Sequence, residues 1–346
     1  MIGPRDRTSE AAQRSPRFSG FGFGKMKDFV LRLIRVLGSL VPVRVRHLFI
    51  KGLLQDANLI RSYGFVYLSS LSERLNIVRL SARGDYGIFS SVPTDLTIFR
   101  RYAETGKWSN ETNKFIKGFF KAEAGTYLDI GANIGMTVVP LAVSDPQVKC
   151  HAFEPEPNNY QNLERNIAEN CPAGNVKTYQ LAIFDRETVL PFEIATINLG
   201  DHRLHASTDL PAKEGEAERK IINVKCIRLD DLPMELDGPL LVKIDTQGAE
   251  PFVFAGGQAT LAKADILLLE WSPYLMARLG GDPKIIIDLL RKNFSMGRIG
   301  PPDDAPAAIS DRKSMDEICS TLLPSITAWR DDPHKYVDVI AEKRAT

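Results

Sequence analysis

Residues 127–142 read YLDIGANIGMTVVPLA: an apolar strand-like run, an acid with two glycines, then an apolar helix-like run. A strand that turns sharply into a helix opens the repeating unit of an open α/β sheet, and ligands of such sheets sit beyond the carboxyl ends of the strands. Small residues at Gly131, Ala132 and Gly135 predict close backbone approach by a ligand in the turn. The helix expected to begin near Met136 would offer free N–H groups to an anion.

Working outward, strand and helix patterns alternate. VKCHAF (148–153) reads as a strand, PNNYQNLERNIAEN (157–170) as a helix and VKTYQLAI (176–183) as a strand. LLVKID (240–245), AEPFVFAGGQATLAK (249–263), DILLLEW (265–271), PKIIIDLLRKNF (283–294) and KYVDVIAEK (335–343) continue the alternation. This order predicts an α/β fold: a doubly wound, mostly parallel, seven-stranded Rossmann-like sheet with helices on both faces. Residues 194–223 are polar and too long for an ordinary connection, which marks a functional loop.

The expected organisation is a flexible tail at 1–24, a helical and mixed extension at 25–120, the core at 121–300, and a segment at 301–346 completing the sheet. In the extension, RLSARGDYGIFSSVP (79–93) reads as short strands about a turn at Gly84 and Gly87. Residues 28–41 carry apolar residues at helical spacing with Arg32 and Arg35 on the other face. Such a helix packs on the main domain or on a second subunit of a homo-oligomer, or lies peripherally on an anionic membrane.

The chain has 346 residues, 44% hydrophobic and 25% charged, with a formal charge of +1. That balance fits an ordinary globular protein and gives no signal for a nucleic-acid partner. Cys150, Cys171, Cys226 and Cys319 are scattered, with no spacing that builds a zinc site, so no metal is expected. Arginines interrupt every apolar run near the start of the chain, so neither a secretion signal nor a spanning helix is expected, and the reading is cytoplasmic.

Three ligands compete for the turn at 131–135. A P-loop needs Lys followed by Ser or Thr, where this sequence has Met136 and Thr137. A dinucleotide fingerprint needs glycine where Asn133 stands. S-adenosylmethionine fits better: Asp129 would pair with its ammonium and the turn amides with its carboxylate. Glu154, at the end of the next strand, would hold the ribose diol, with Pro155 stiffening its loop.

YLDIGANIG, FEPEPNNYQNLERN, RLDDL, LLVKIDTQGAE and ILLLEW together resemble the FkbM family of S-adenosylmethionine-dependent methyltransferases, across residues 126–294. The resemblance implies a class I fold and methyl transfer to a hydroxyl of a sugar, glycan or specialised small molecule. The donor candidates are Asp129, Gly131, Ala132, Asn133, Gly135, Glu154, Pro155 and Asp185, the last against the adenine edge. Strand-end position makes Asp245, Glu250 and Glu270 the acceptor-side candidates, with His202 as a base in the long loop, oriented by Asp201. Lys243 reads as a structural partner for Asp245 or Glu270, and Trp271 and Tyr274 as packing or as a stacking surface for a ring. The alternatives are a scaffold protein that keeps the donor fold and, behind it, a dinucleotide oxidoreductase.

Overall fold

The computed structural model describes residues 57–196, 198–206, 210, 219–300 and 311–343. The helix expected at 28–41 and the tail expected at 1–24 lie outside them. From Ser62 onward the described residues belong to one compact unit.

Helix α1 (Ala57–Arg74) leads into a hairpin of β1 (Leu80–Gly84) and β2 (Gly87–Ser91), then α2 (Ile98–Thr105) and α3 (Asn110–Phe120). The alternating units follow: β3 (Thr126–Ile130), α4 (Val138–Ser144), β4 (Lys149–Phe153), α5 (Pro157–Asn170) and β5 (Val176–Tyr179). Next come four short strands, β6 (Ala182–Ile183), β7 (Thr188–Ile194), β8 (Arg203–Leu204) and β9 (Lys220–Ile227). The chain then returns through β10 (Leu240–Ile244), α6 (Glu250–Gly256), α7 (Gln258–Leu261), β11 (Ile266–Trp271), α8 (Pro273–Leu279) and α9 (Lys284–Asn293). Last are β12 (Met296–Gly300), β13 (Lys313–Ser314), α10 (Met315–Ala328) and β14 (Val337–Glu342).

Among the described residues eight strands form the main sheet, in the order β13-β12-β14-β11-β10-β3-β4-β5. The five from β11 to β5 are parallel; β14, β12 and β13 join antiparallel. The eighth strand is the two-residue β13, too short for a hydrophobic period to reveal. Both faces are buried, which is why the central strands read as continuous apolar runs. Leu240, Val242, Ile244, Leu267 and Leu269 pack into one core, whereas Leu241, Ile266 and Leu268 pack into the other.

The run read as one strand at 176–183 is two. β5 stays in the main sheet, and β6 starts a separate four-strand sheet ordered β6-β9-β7-β8. Antiparallel pairing of β7 with β9, from Thr188 opposite Cys226 to Ile194 opposite Lys220, brackets the long polar stretch. The connection is therefore largely a sheet insertion. All four cysteines are free and buried.

Gly131 has φ +90, and a Cβ there would lie 1.8 Å from the Asp245 carbonyl oxygen. The glycine thus serves the approach of β10, not that of a ligand. Gly131→Ala is expected to destabilise the chain by at least about 2 kcal/mol, from backbone strain plus the clash, read as a lower urea midpoint.

Candidate active site

A cleft opens at the carboxyl ends of the parallel strands. Gly131, Ala132, Asn133, Glu154 and Pro155 line it from β3 and β4; Ala182 and Ile183 from β6; and Lys243, Asp245 and Gln247 from β10.

The turn after β3 holds few free donors. The N–H groups of Gly131 and Ala132 both donate to Phe153 O, that of Asn133 to Glu154 Oε2, that of Ile134 to Asn133 Oδ1 and that of Gly135 to Ala132 O. The expectation that these amides take a ligand carboxylate is corrected: their hydrogen bonds brace the turn. Gly135, at φ +92, faces Leu163 and Val139 instead of the cleft.

Asp129 is fully buried and set behind the cleft wall. Its Oδ2 accepts from Thr137 Oγ1, and its Oδ1 lies 3.6 Å from Lys243 Nζ, the residue directly across from it on β10. Burial pushes the Asp129 carboxyl above its ordinary value, with Lys243 opposing that push. Thr137 and Lys243, which do line the cleft, stand between Asp129 and any ligand. Direct pairing of Asp129 with an ammonium is therefore not the geometry observed.

Glu154 lies where the sequence placed it, just past β4 and facing the cleft. Oε2 accepts from the Asn133 N–H at 2.9 Å and Oε1 from the Glu156 N–H at 2.8 Å. Burial nevertheless pushes its carboxyl up to about 8. Beside it Asn159, 1% exposed, lines the cleft with an Oδ1 that has no hydrogen-bond partner. Glu156 caps α5 by accepting from the Asn159 N–H, which fixes that asparagine against the cleft. Glu154 and Asn159 thus offer unused acceptor capacity to a hydroxyl-bearing ligand.

On the β10 side, Asp245 accepts from Lys243 Nζ at 3.3 Å and Gln247 Nε2 at 2.9 Å. Burial opposes its charge, but the Lys243 ammonium and the Gln247 amide outweigh burial and hold its carboxyl below the usual range. Gln247 takes a left-handed backbone, φ +55, and its Nε2 also reaches Glu270 Oε2 at 2.7 Å. Burial, then the Asp245 charge, raises the Glu270 carboxyl well above its ordinary value. One amide therefore bridges the Asp245 carboxylate on the cleft to the Glu270 carboxyl behind it. Lys243 bridges Asp129 and Asp245, and the pairing with Asp245 is one of the two the sequence offered.

Three expected site residues sit elsewhere. Glu250 accepts from the N–H and hydroxyl of Thr246 and the N–H of Gly248, so its oxygens close their own turn. Its carboxyl, pushed up to about 7 by burial, braces the loop that carries Asp245 and Gln247. Glu270 lies behind the cleft and accepts from Gln247 Nε2. Asp185 pairs with Arg186 and is away from the cleft, because the chain has already turned into the second sheet. Trp271 and Tyr274 are fully buried, and Trp271 Nε1 donates to Ser325 Oγ at 2.8 Å; both are packing. Asp230 accepts from Ala259 and Thr260 at the start of α7.

His202 lines the cleft, and its Nδ1 accepts from the Ala195 N–H at 2.9 Å. Burial, helped by Arg219 and opposed by Asp201, lowers it to about 4. A neutral imidazole whose Nδ1 accepts carries its proton on Nε2, so His202 is a donor in this arrangement, not a base. Asp201 does not orient it. Its carboxylate pairs with Arg203 and Arg219, alongside Glu193, which accepts from Arg203, His205 and Arg278.

Sequence reading missed Thr137, Asn159, Leu199 and, from the extension, Ile98 and Trp108, all of which line the cleft. The Trp108 carbonyl accepts from Tyr86 Oη and from Asn113 Nδ2, and the same amide reaches Met136 O. That tie brings the tryptophan to the turn after β3, a long-range contact no local pattern encodes. Among the described residues no cluster of three or more His, Cys, Asp or Glu side chains could hold a metal, and no helix is long and apolar enough to cross a membrane.

Comparison with known proteins finds methyltransferases among the chains similar to this one. The 2-O-methyltransferase NoeI of Sinorhizobium fredii is 29% identical over 173 residues, 47% of this chain and 70% of NoeI. The methyltransferase sdnD of Sordaria araneosa is 30% identical over 157 residues, 37% of this chain and 59% of sdnD, so the match spans less than two thirds of that relative. Among solved structures, a methyltransferase FkbM from Methylobacillus flagellatus is 14% identical, with 71% of this chain and 57% of that one covered and a TM-score of 0.36. TYW2 of M. jannaschii in complex with AdoMet is 12% identical, with 77% and 87% covered and a TM-score of 0.38. The model of the methyltransferase FkbM domain matches residues 129–296, the part of the chain that supplies both the turn after β3 and the Asp245 loop, and the chain is similar to that family over this segment.

Proposed function

We propose that the chain uses S-adenosylmethionine to methylate a hydroxyl of a sugar or a specialised small molecule. The observation that carries the donor reading is that Glu154 and Asn159, the latter with an unpartnered Oδ1, both line the cleft. Both are acceptors suited to a vicinal diol. Apolar Ile130, Phe153, Leu181 and Ile183 line the same cleft and suit an adenine ring. When bound, S-adenosylmethionine supplies a methyl group on a positively charged sulfur that leaves as a neutral thioether.

The acceptor reading rests on the β10 side. Apolar Trp108, Phe192 and Leu204 share the cleft with polar Asp245, Gln247 and His202, a lining suited to a ring with one hydrophobic face and several hydroxyls. Asp245 accepts the hydroxyl hydrogen, aligns the oxygen lone pair and takes the proton as the oxygen gains its methyl. Lys243 and Gln247 keep Asp245 ionised for that role. His202 donates from Nε2 to a neighbouring oxygen of the acceptor. The similarity to NoeI, a 2-O-methyltransferase, supports oxygen as the acceptor atom.

Titration calorimetry with S-adenosylmethionine and S-adenosylhomocysteine, followed by labelled-methyl transfer to hydroxylated acceptors, tests both halves. Micromolar binding and label in a methyl ether are expected. Binding of neither compound would sink the donor reading and favour a scaffold. Label in an amine or thiol product would sink the hydroxyl reading.

A further inference from the structure

We infer that Asn133 and Asn159 latch the segment carrying Leu199 and His202 over the cleft, and that this latch opens for the donor to exchange; the inference rests on the donor reading above. Two side-chain amides converge on one carbonyl: Asn133 Nδ2 and Asn159 Nδ2 donate to Leu199 O at 2.8 and 3.1 Å. Both asparagines and Leu199, Gly200 and His202 line the cleft, and the Asn133 N–H also holds Glu154. The latch therefore joins the covering segment to the diol-binding carboxylate through a single residue.

The segment is built as a unit. The bond from Ala195 N–H to His202 Nδ1 closes its base, and Asn198 folds the turn by accepting from Gly200 and Asp201. Its far side is anchored by charge. Arg219 donates to both the carbonyl and the carboxylate of Asp201, within the network of Glu193 and Arg203. Its near side is held by two neutral amide bonds to Leu199 O. Charge-assisted bonds are about twice as strong as neutral ones, so the segment opens at Leu199 and hinges on the arginine side.

The identity of residue 133 makes the idea testable. Asn133 has φ +51, a conformation glycine adopts more readily. Glycine would keep the backbone bond to Glu154 while removing the latch and, with it, the side-chain oxygen that accepts from the Ile134 N–H. Asn133 thus acts as a positioning residue in a place where the backbone alone asks for less.

The experiment is dissociation of labelled S-adenosylhomocysteine from the full chain, chased with unlabelled compound, together with its equilibrium affinity. Asn133→Gly is expected to speed release about 5-fold, and Asn133→Gly with Asn159→Ala about 20-fold, from the loss of one and two neutral hydrogen bonds. For Asn133→Gly the dissociation constant should change less than the release rate, because loosening the segment also opens the way in, whereas Asn159→Ala also removes an acceptor for the diol and should weaken binding besides. Asn159→Asp, equal in shape but without the N–H donor, should behave as Asn159→Ala; wild-type release from it would overturn the latch. Equal release rates in all variants, or weakening carried wholly by slower association, would also overturn it. No binding by the unaltered chain would instead overturn the donor reading.

Discussion

Glu154→Ala is expected to lower the affinity for S-adenosylhomocysteine by at least about 100-fold, the largest single loss in the donor half of the cleft. A hydrogen bond to a charged group contributes about 1.5–3 kcal/mol, and a diol makes two of them. The alanine also leaves the Asn133 and Glu156 amides without their acceptor, so thermal stability should fall with affinity. Glu154→Gln removes the charge while its one amide oxygen keeps an acceptor for one of the two N–H groups, so its loss of stability should be smaller than that of the alanine. The pH dependence is a second check. With the carboxyl pushed up to about 8 in the free chain, a diol that prefers the ionised form lowers that value and releases a proton on binding. Affinity should therefore rise as pH climbs toward 8 and level off above it, and the rise should vanish in Glu154→Gln. The same group works against folding of the free chain as pH rises above the ordinary carboxylate value of 4.5, because burial favours its neutral form. A pH-independent affinity in the unaltered chain would remove Glu154 from the diol.

Asp245→Asn is expected to lower turnover about 100-fold or more while changing donor affinity less than about 3-fold, since a positioned base is commonly worth 100- to 10,000-fold. The substitution keeps the shape of the side chain, and Lys243 retains Asp129 as a partner. Because Lys243 and Gln247 hold Asp245 below the usual carboxylate range, its ionisation should impose no loss of rate between about pH 6 and 8. Equal losses in turnover and donor binding would make Asp245 a structural residue. A substitution at Glu250 should differ in kind, loosening the turn that carries Asp245 and Gln247 and lowering stability with activity.

The parallel half of the sheet was legible because burial on both faces writes continuous apolar runs between turns, as at 126–130 and 266–271. The end of VKTYQLAI was misread because two residues, Gln180 and Leu181, carry the chain from one sheet to another without a break in composition. Glu154 and Asp245 were legible as acids ending apolar strands. Glu250 had the same residue type and neighbourhood, but the direction of its side chain is set by the left-handed Gln247 and Gly248, which a one-dimensional pattern does not convey. Asn159 and Trp108 were missed for a different reason. Each reaches the cleft through contacts far apart in sequence, Asn159 with Leu199 and the Trp108 loop with Met136 by way of Asn113.

The position of β14 governs how this sheet can be completed. The strand follows β12 and β13 along the chain, yet it lies between β11 and β12, bonded to both from Ile266 opposite Glu342 to Gly300 opposite Asp338. As the polypeptide emerges during synthesis, β11 and β12 must wait with open edges until residues 337–342 arrive to zip them together. Leu267 and Leu269 of β11 meanwhile have no neighbour on that side, a standing invitation to intermolecular pairing. β14 is thus made after every other described strand of the main sheet, and a ribosome that stalls before residue 337 releases a chain in which the edges of β11 and β12 are bare.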